Sequence, residues 1–265
     1  MLKILFTGDA VGRIGRHTLS LLIPKLKREH HPDLIIANVE NIAHGSGVTE
    51  STLKDIIDAG VDYMTVGDHA FKAGNFDVYD KFPIIRPANY SDNIPGKGFT
   101  VITIKNQSIL LINLIGRVFM KMDYDDPFRK IDEILANPFL SEKKMSAIIV
   151  DIHAEATSEK NAIKHYLDGR VSAVLGTHTH VMTADQEITE NGTAYISDVG
   201  MVGYAEGCIG VDKENIIKTF LTQVPYVHKI PEKGKAILNA VLVTIDPKNA
   251  KAKKIKPIVE FININ

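Results

Sequence analysis

Cysteine is almost absent from this chain of 265 residues, in which Cys208 is the single one. An internal disulfide is therefore excluded, and the composition fits a reducing compartment. Long apolar runs are missing too, since none approaches the ~18 residues that a membrane-spanning helix needs. Lys3 interrupts the short apolar start, which is not typical of a secretory signal. We therefore expect a cytoplasmic protein without a membrane span.

An excess of charge of one sign is also lacking, because 31 Lys and Arg residues face 32 Asp and Glu residues. The formal net charge of -1 disfavours a broad basic surface for nucleic acid. Apolar residues make up 45% of the chain, which is enough for a sizeable core. Because no internal repeat, low-complexity tract or clear linker is apparent, we expect residues 1–265 to form a single domain.

The first part of the chain alternates short apolar runs with amphipathic segments. The predicted elements of this part are strands at Leu2–Thr7, Asp33–Val39 and Val61–Val66, and helices at Arg16–His30 and Thr49–Ala59. Pro24 lies inside the first helix, where we expect a kink or a restart. Repeated β-α units of this kind favour parallel strands joined by right-handed crossovers.

The later part of the chain adds a hairpin, more helices and long β-rich runs. A polar turn at Lys105–Ser108 separates the two predicted strands of the hairpin. Asp126 followed by Pro127 predicts a helix start. Further strands are predicted at Ser146–Val150, Val171–Leu175, Thr193–Ser197, Ala236–Ile245 and Ile255–Ile264, and further helices at Ser158–Asp168 and Lys213–Thr222. The whole pattern predicts an α/β fold with mixed sheets and helices outside.

Five predicted strands end in side chains of the types that bind metal ions. These residues are Asp9, Glu40, Asn41, Asp68, His69, His153, His178 and His180. Because ligands collect at the carboxyl ends of parallel strands, we expect these side chains to share one crevice. A mixed shell of oxygen and nitrogen ligands suits Mn, Fe or Zn. The set is too large for one tetrahedral ion but suits two ions ~3.5–4 Å apart that share a carboxylate.

Each of these residues alone has a simpler explanation. Asp9 could cap a helix, and His153 could be a buried histidine with a hydrogen-bond partner. The coincidence of such side chains at five strand ends is what favours the metal site. The remaining histidines lack this placement. We expect an exposed loop residue at His44 and structural or solvated residues at His17, His30, His31, His165 and His228.

Longer motifs surround the candidate ligands and extend from residue 8 to residue 210. They are Gly8–Arg13 (GDAVGR), Asn38–Asn41 (NVEN), Gly67–His69 (GDH), Arg86–Asn89 (RPAN), His153–Lys160 (HAEATSEK), Gly176–Val181 (GTHTHV) and Ser197–Val202 (SDVGMV), with Ile209–Gly210 after them. These motifs resemble the calcineurin-like metallophosphoesterases and, within that group, the YmdB-like family of bacterial proteins. Because the later strands are similar too, the resemblance covers essentially the whole chain.

The resemblance implies a four-layer α/β/β/α sandwich with two mixed β-sheets. It also implies two divalent metal ions, with Fe or Mn expected and Zn or Mg as alternatives. The implied ligands are Asp9 and His180 for the first ion, with Asn41 nearby, and Asp68, His153 and His178 for the second, with Glu40 bridging both. His69 is implied to stand over the site as the general acid. Relatives further suggest a homo-oligomer.

Two segments depart from the family pattern. The family motif GNH is GDH here, so Asp68 stands where asparagine is expected. The added negative charge predicts tighter binding of the second ion and a weaker Lewis acid, because the carboxylate partly neutralises the metal. The segment Gly203–Cys208 also differs from the expected pattern, and we expect it to alter the rim of the pocket.

The resemblance implies a phosphodiesterase that acts on a small-molecule phosphodiester, with 2′,3′- or 3′,5′-cyclic nucleotides as the expected substrates. In this hypothesis a hydroxide that bridges the ions attacks phosphorus, and His69 protonates the leaving oxygen. Phosphomonoester hydrolysis and a metal-loaded regulatory or RNA-associated role with little catalysis stay open. An amidohydrolase barrel is disfavoured because it places His-x-His after its first strand. A Rossmann-type site is disfavoured because the spacing of Gly8, Gly12 and Gly15 is wrong.

Overall fold

The computed structural model describes residues 1–141 and 143–265. Its strands are β1 (Leu2–Thr7), β2 (Asp9–Ala10), β3 (Leu34–Asn38), β4 (Tyr63–Thr65), β5 (Ile84–Ile85), β6 (Phe99–Ile104), β7 (Gln107–Ile115), β8 (Ala147–His153), β9 (Ala173–Thr177), β10 (Glu187–Ile188), β11 (Ala194–Ile196), β12 (Met201–Tyr204), β13 (Gly234–Asp246) and β14 (Lys251–Ile264). Its helices are α1 (Gly12–His30), α2 (Glu50–Asp58), α3 (Val78–Lys81), α4 (Pro127–Leu135), α5 (Pro138–Ser141), α6 (Thr157–Leu167) and α7 (Lys213–Thr222).

The strands form two mixed sheets. The first has the order β2-β12-β13-β1-β3-β4-β5, with β14 paired to β13. Within it β1, β3, β4 and β5 are parallel, whereas β13 runs antiparallel to β1. The second has the order β10-β11-β9-β8-β7-β6, in which β7, β8, β9 and β11 are parallel and the two edge strands are antiparallel. The strands that carry the candidate ligands are therefore divided between the sheets.

Alternation along β1 shows what covers each face of the first sheet. Ile4 and Phe6 are fully buried in an apolar cluster that includes Ile149 of β8, so this face packs against the second sheet. Leu5 lies in a different cluster together with Leu26 of α1. Because successive side chains of a strand point to opposite faces, α1 covers the outer face of this sheet.

The second sheet shows the same division. Val150 and Ile152 alternate with Ile149 along β8, and they lie in a cluster with Ile131 of α4 and Ile163 of α6. Helices therefore cover the outer face of each sheet, and apolar side chains fill the space between the sheets. The predicted four-layer α/β/β/α sandwich is confirmed, and a barrel is excluded.

Several element ends follow from the local sequence. The side chain of Thr49 accepts a hydrogen bond from the backbone N–H of Thr52 and caps α2, and Asp126 accepts from Phe128 N to cap α4. Lys105 and Asn106 form the hairpin turn with positive φ angles of 49° and 61°. The turn is shorter than the predicted polar segment because the residues after Asn106 already belong to β7 and pair with β6.

Helix α1 differs from the prediction at its start, and of the kink or restart expected at Pro24 the restart is excluded. It begins at Gly12, before the predicted start, and it continues through Pro24 without a restart. Pro24 lies on the exposed side, whereas Leu19, Ile23 and Leu26 on the other side are buried against the first sheet, so packing holds the helix together across the proline. In the ranges that the structure describes, no helix has the length and apolarity that crossing a membrane requires.

Candidate metal centre

The predicted metal ligands come together where β1, β3, β4, β8 and β9 end. Each ligand lies at its strand end or within three residues of it, as the parallel pairing in each sheet requires. Close approach of the segments depends on glycine at two positions. A Cβ at Gly67 would lie 2.1 Å from Cδ2 of His153, and a Cβ at Gly176 would lie 1.8 Å from the carbonyl oxygen of Ser197. Only a residue without a side chain fits at these points.

Four side chains form the tightest group of potential ligands. Nε2 of His153 lies 3.0 Å from Nδ1 of His178 and 3.4 Å from both Glu40 Oε1 and Asp68 Oδ1. The ligand atoms of all four residues lie within 4.8 Å of one another. Two atoms that each bind the same ion at ~2.0–2.2 Å lie at distances of this size from each other. The grouping of Asp68, His153 and His178 matches the implied second ion.

A second group lies beside the first. Nε2 of His180 is 3.9 Å from Asp9 Oδ1 and 3.3 Å from Asn41 Nδ2. Asn41 Nδ2 also lies 3.3 Å from Oε1 of Glu40, the same oxygen that approaches His153. Glu40 therefore lies between the two groups, where a bridging carboxylate would have to be.

Burial makes these carboxylates unusual. Asp9 is fully buried and Glu40 is 1% exposed. Burial raises the pKa of Asp9; for Glu40 the same effect is outweighed by His153 and His69, which hold its pKa well below the usual value. Asp9 Oδ1 and Asp68 Oδ1 are buried and have no hydrogen-bond partner in the described part of the chain. Because an unpaired buried carboxylate oxygen is costly, these atoms fit a bound cation.

The tautomer of His153 is set by its neighbours. Thr177 Oγ1 donates a hydrogen bond to Asp151 Oδ1 over 2.7 Å, and it lies 2.9 Å from Nδ1 of His153. Since the hydroxyl proton points to Asp151, the hydroxyl must accept from Nδ1–H of His153. In the neutral ring that a metal ion requires, the lone pair is thereby on Nε2, which faces Glu40 and Asp68. Burial raises the pKa of Asp151 to about 7.

The other two histidines also have partners on the ring nitrogen that faces away from the ligand group. Nε2 of His178 lies 3.1 Å from Oε2 of Glu155, which leaves Nδ1 facing Asp68. Nδ1 of His180 lies 2.9 Å from the carbonyl oxygen of Ile209, which leaves Nε2 facing Asp9. Partners of this kind fix the tautomer and the orientation of metal-binding histidines.

His69 lies at the mouth of the site and is about one-quarter exposed. Its Nδ1 is 3.0 Å from Glu40 Oε1 and 2.9 Å from Asn41 Oδ1, and its backbone N–H donates to Glu40 Oε2. The hydrogen bond to Glu40 raises the pKa of His69. Nε2 is the ring nitrogen that points away from these partners, at 3.7 Å from Asp68 Oδ2. The general-acid role of His69 stays a prediction.

A cavity of about 350 Å³ opens above the ligands. Its polar part contains Glu40, Asn41, His69, Glu155, His178, Thr179 and His180. Its apolar part consists mainly of Val11, Ile209, Val211 and Ile230. Ile209 and Val211 come directly after Gly203–Cys208, the segment expected to alter the rim. The site therefore combines a charged floor with an apolar wall.

The histidines predicted to lie outside the site do so. His17, His31, His44, His165 and His228 are exposed, and His30 is half-buried near the end of α1. The Arg86–Asn89 motif is structural, because the fully buried Asn89 donates to the carbonyls of Ile115 and Asp125. The next residue, Tyr90, donates to the carbonyl oxygen of Gly67 and supports the segment that carries Asp68.

The residues that surround and orient the ligands were not identified from the sequence. Glu155, Lys160 and Asp198 lie in motifs that carry the family resemblance, but no individual role was predicted for them. One signal was present in the sequence, because Lys160 lies on the same face of α6 as the buried Ile163 and Leu167. A lysine at such a position must have a buried partner.

Comparison with known proteins places these features in a wider group. The family model described as YmdB-like protein matches residues 5–258. The 2′,3′-cyclic-nucleotide 2′-phosphodiesterase of Bacillus subtilis (strain 168) is 46% identical over 260 residues, which cover 97% of each chain. The crystal structure of a hypothetical protein from Thermus thermophilus has a TM-score of 0.90 at 38% identity and covers 98% of this chain and 99% of that one. A novel phosphatase from Mycoplasma pneumoniae has a TM-score of 0.91 at 33% identity and covers 100% of this chain and 94% of that one.

Proposed function

The chain belongs to the YmdB-like protein family, and on that premise we propose that it is a metal-dependent phosphodiesterase that hydrolyses cyclic nucleotides. The Bacillus subtilis relative carries the name of a 2′,3′-cyclic-nucleotide 2′-phosphodiesterase, so the 2′,3′-cyclic class is the first candidate and the 3′,5′-cyclic class the second. The observation that carries the proposal is the convergence of three carboxylates and three histidines beneath one cavity, with Asp9 and Glu40 buried and the side chain of Asp68 only 6% exposed.

The metal centre that we propose holds two divalent ions. Asp9 and His180 would hold the first ion with Asn41 close by, and Asp68, His153 and His178 would hold the second. Glu40 would bind both ions. Fe and Mn are the proposed ions, with Zn and Mg as alternatives; a set that mixes carboxylate oxygens with imidazole nitrogens suits Mn, Fe and Zn alike, and the family resemblance favours Fe and Mn. When bound, the ions would lower the pKa of a water molecule and polarise the phosphoryl group.

His69 is the proposed proton donor in this reaction. Nδ1 is engaged with Glu40 and Asn41, so the proton would leave from Nε2, which is free of both. For a 2′,3′-cyclic substrate, water adds to phosphorus while the bond from phosphorus to the 2′ oxygen breaks. His69 would place its proton on that oxygen. General-acid catalysis of this kind typically contributes ~10²–10⁴-fold.

The shape of the cavity supports a nucleotide-sized substrate. Its volume of about 350 Å³ is at the lower end of the range of small-molecule sites. The charged floor suits a phosphate held by metal ions, and the apolar wall of Ile209, Val211 and Ile230 suits the sugar or base. The near-zero net charge of the chain does not favour a long nucleic-acid strand as substrate.

Phosphomonoester hydrolysis is a second candidate, because the Mycoplasma pneumoniae structure is described as a phosphatase. A metal-loaded regulatory or RNA-associated protein with little catalysis is a third, and the aspartate at position 68 is the feature that favours it. Purified protein should therefore be analysed for bound metal and assayed with bis-p-nitrophenyl phosphate and p-nitrophenyl phosphate across Mn, Fe, Zn and Mg.

The results of that assay separate the three candidates. About two ions per chain with metal-dependent cleavage of the diester would support the proposal and justify a screen of cyclic nucleotides. Preference for the monoester would favour the phosphatase. Two ions without turnover on any diester or monoester would favour the regulatory role. A chain that takes up no metal after reconstitution would refute the metal centre.

Three further properties complete the proposal. Residues 1–265 form one domain, which the pairing of the late strand β13 with β1 supports. The location is cytoplasmic, which the single cysteine supports. The protein is a homo-oligomer, for which Phe220 and Leu221 of α7 offer exposed apolar surface at 83% and 80% exposure. Cell fractionation and analytical ultracentrifugation would test the last two properties.

A further inference from the structure

The segment that follows β9 carries two of the ligands in an unfavourable backbone conformation. His178 has a φ of 102° and His180 a φ of 65°, although neither is glycine. Residues with side chains occupy this region at a cost and remain there only when surrounding contacts enforce it. We call Thr177–His180 the ligand loop. Something in the structure must hold this loop in place.

A buried ion pair lies directly beneath the ligand loop. Lys160 comes from α6 and Asp198 from the segment after β11. Nζ of Lys160 lies 2.9 Å from Oδ2 of Asp198, and each side chain is 1% exposed. Buried ion pairs seldom add net stability, because removing two charges from water offsets their attraction. Stability alone is therefore a weak explanation for this pair.

The pair makes hydrogen bonds to the backbone on both sides of His178. Nζ of Lys160 donates to the carbonyl oxygen of Thr177 over 2.8 Å, and Oδ2 of Asp198 accepts from Thr179 N over 2.9 Å. The other oxygen of Asp198 accepts from Gly200 N over 2.8 Å, which fixes the carboxylate itself. The two peptide groups that flank His178 are thereby held by side chains that are almost completely shielded from water.

We propose that Lys160 and Asp198 are positioning residues that hold the ligand loop in its metal-binding conformation before any ion arrives. The proposal rests on the metal centre proposed above. Both residues act through the backbone of the loop, and neither reaches the ligand atoms. In the proposed centre, His178 and His180 bind different ions. Loss of the Lys160–Asp198 pair would therefore weaken the binding of both ions.

The decisive variant removes both charges at once. Replacing only one partner would leave an uncompensated buried charge and would endanger folding. The combination of Lys160→Met and Asp198→Asn keeps the side-chain sizes and leaves no net charge behind. Partners that orient metal ligands typically contribute 10–100-fold to affinity, so we expect roughly that loss for Mn²⁺ binding to the metal-free double variant. Electron paramagnetic resonance of free Mn²⁺ during a titration measures it without any activity assay.

The same helix offers a matched control. Lys164 lies one turn after Lys160, and its Nζ pairs with Glu187 Oε1 over 2.9 Å. That pair lies away from the ligand loop. Lys164→Met should therefore lose an ion pair from α6 and keep wild-type Mn²⁺ affinity. Wild-type affinity in the double variant, or an equal loss in Lys164→Met, would overturn the proposal.

A measurement on the unaltered protein decides the question if the double variant does not fold. In the metal-free wild-type chain, the amide of Thr179 should be strongly protected from hydrogen exchange, because Asp198 already holds it. Rapid exchange of this amide in the metal-free protein would refute the proposal. Failure of the wild-type chain to bind any of Mn²⁺, Fe²⁺, Zn²⁺ and Mg²⁺ would instead refute the metal centre, which separates the two claims.

Discussion

The hydroxyl of Thr177 offers a sharp test of how the site is organised. It bridges His153 and Asp151, and all three residues are fully buried. Thr177→Val preserves the shape of the side chain and removes the hydroxyl. His153 Nδ1–H then loses its acceptor, and Asp151 Oδ1 loses its donor. The ring of His153 would be free to turn or to adopt the tautomer that carries its proton on Nε2.

The magnitude follows from the two groups that lose a partner. A buried polar group without its partner costs about 1–3 kcal/mol, so we expect the free energy of unfolding of the metal-free protein to fall by at least that much. Loss of an orienting partner typically reduces metal affinity by roughly 10–100-fold. That range corresponds to about 1.4–2.8 kcal/mol of binding free energy. Urea denaturation measures the first quantity, and calorimetric titration with Mn²⁺ measures the second.

Thr193 supplies the control for this experiment. It is also fully buried, and its hydroxyl accepts from Gly169 N and donates to the carbonyl of Val171. Thr193→Val should therefore lower stability by a similar amount and leave metal affinity unchanged. An orienting role of the Thr177 hydroxyl fails if Thr177→Val is destabilised but binds metal like the wild type. It also fails if both variants lose affinity equally, because stability alone would then explain the effect.

Three further substitutions address individual residues of the site. Asp68→Asn should weaken binding of the second ion and raise turnover per loaded site, because the asparagine neutralises the metal less; unchanged affinity in a metal titration would contradict this. His69→Ala should keep both ions and lose ~10²–10⁴-fold in kcat on a substrate with a poor leaving group. The loss should be smaller when the leaving group is p-nitrophenolate. Full turnover of the substrate with the poor leaving group would exclude the acid role. Gly67→Ala should displace the ring of His153, since the new Cβ would lie 2.1 Å from it. If metal analysis finds both ions bound with wild-type affinity, the segment around Gly67 can move to accept the side chain.

Regular elements with a long apolar pattern were predictable from the sequence. Helix α7 has the predicted bounds Lys213–Thr222, and β1 has the predicted bounds Leu2–Thr7. The start of α1 was not predictable in the same way, because Gly12 and Gly15 have no apolar side chains that would extend the helical apolar pattern. A Cβ at Gly15 would lie 2.5 Å from the carbonyl oxygen of Val202, so this glycine reflects close packing of α1 on β12. That contact joins distant parts of the chain and has no local signal.

The candidate site shows the same limit. Asp9, Glu40 and His153 were predictable because each lies at or just after a strand with a clear apolar pattern. Thr177 and Asp198 were not, because their roles depend on contacts with residues far along the chain, such as Thr177 with Asp151 and Asp198 with Lys160. Strand ends can be located from local sequence. The hydrogen bonds that orient the ligands exist only once the two sheets have formed.

The division of the proposed ligands between the sheets has a physical consequence for the proposed metal centre. The first sheet supplies the carboxylates Asp9, Glu40 and Asp68, and the second supplies the histidines His153, His178 and His180. Oxygen and nitrogen donors therefore meet only across the apolar layer between the sheets, where Phe6 and Ile149 are fully buried. Close-packed interiors resist small displacements, so the packing of this layer sets the distance between the two kinds of donor. Bound ions would in turn hold the sheets together, which couples metal affinity to the stability of the whole sandwich.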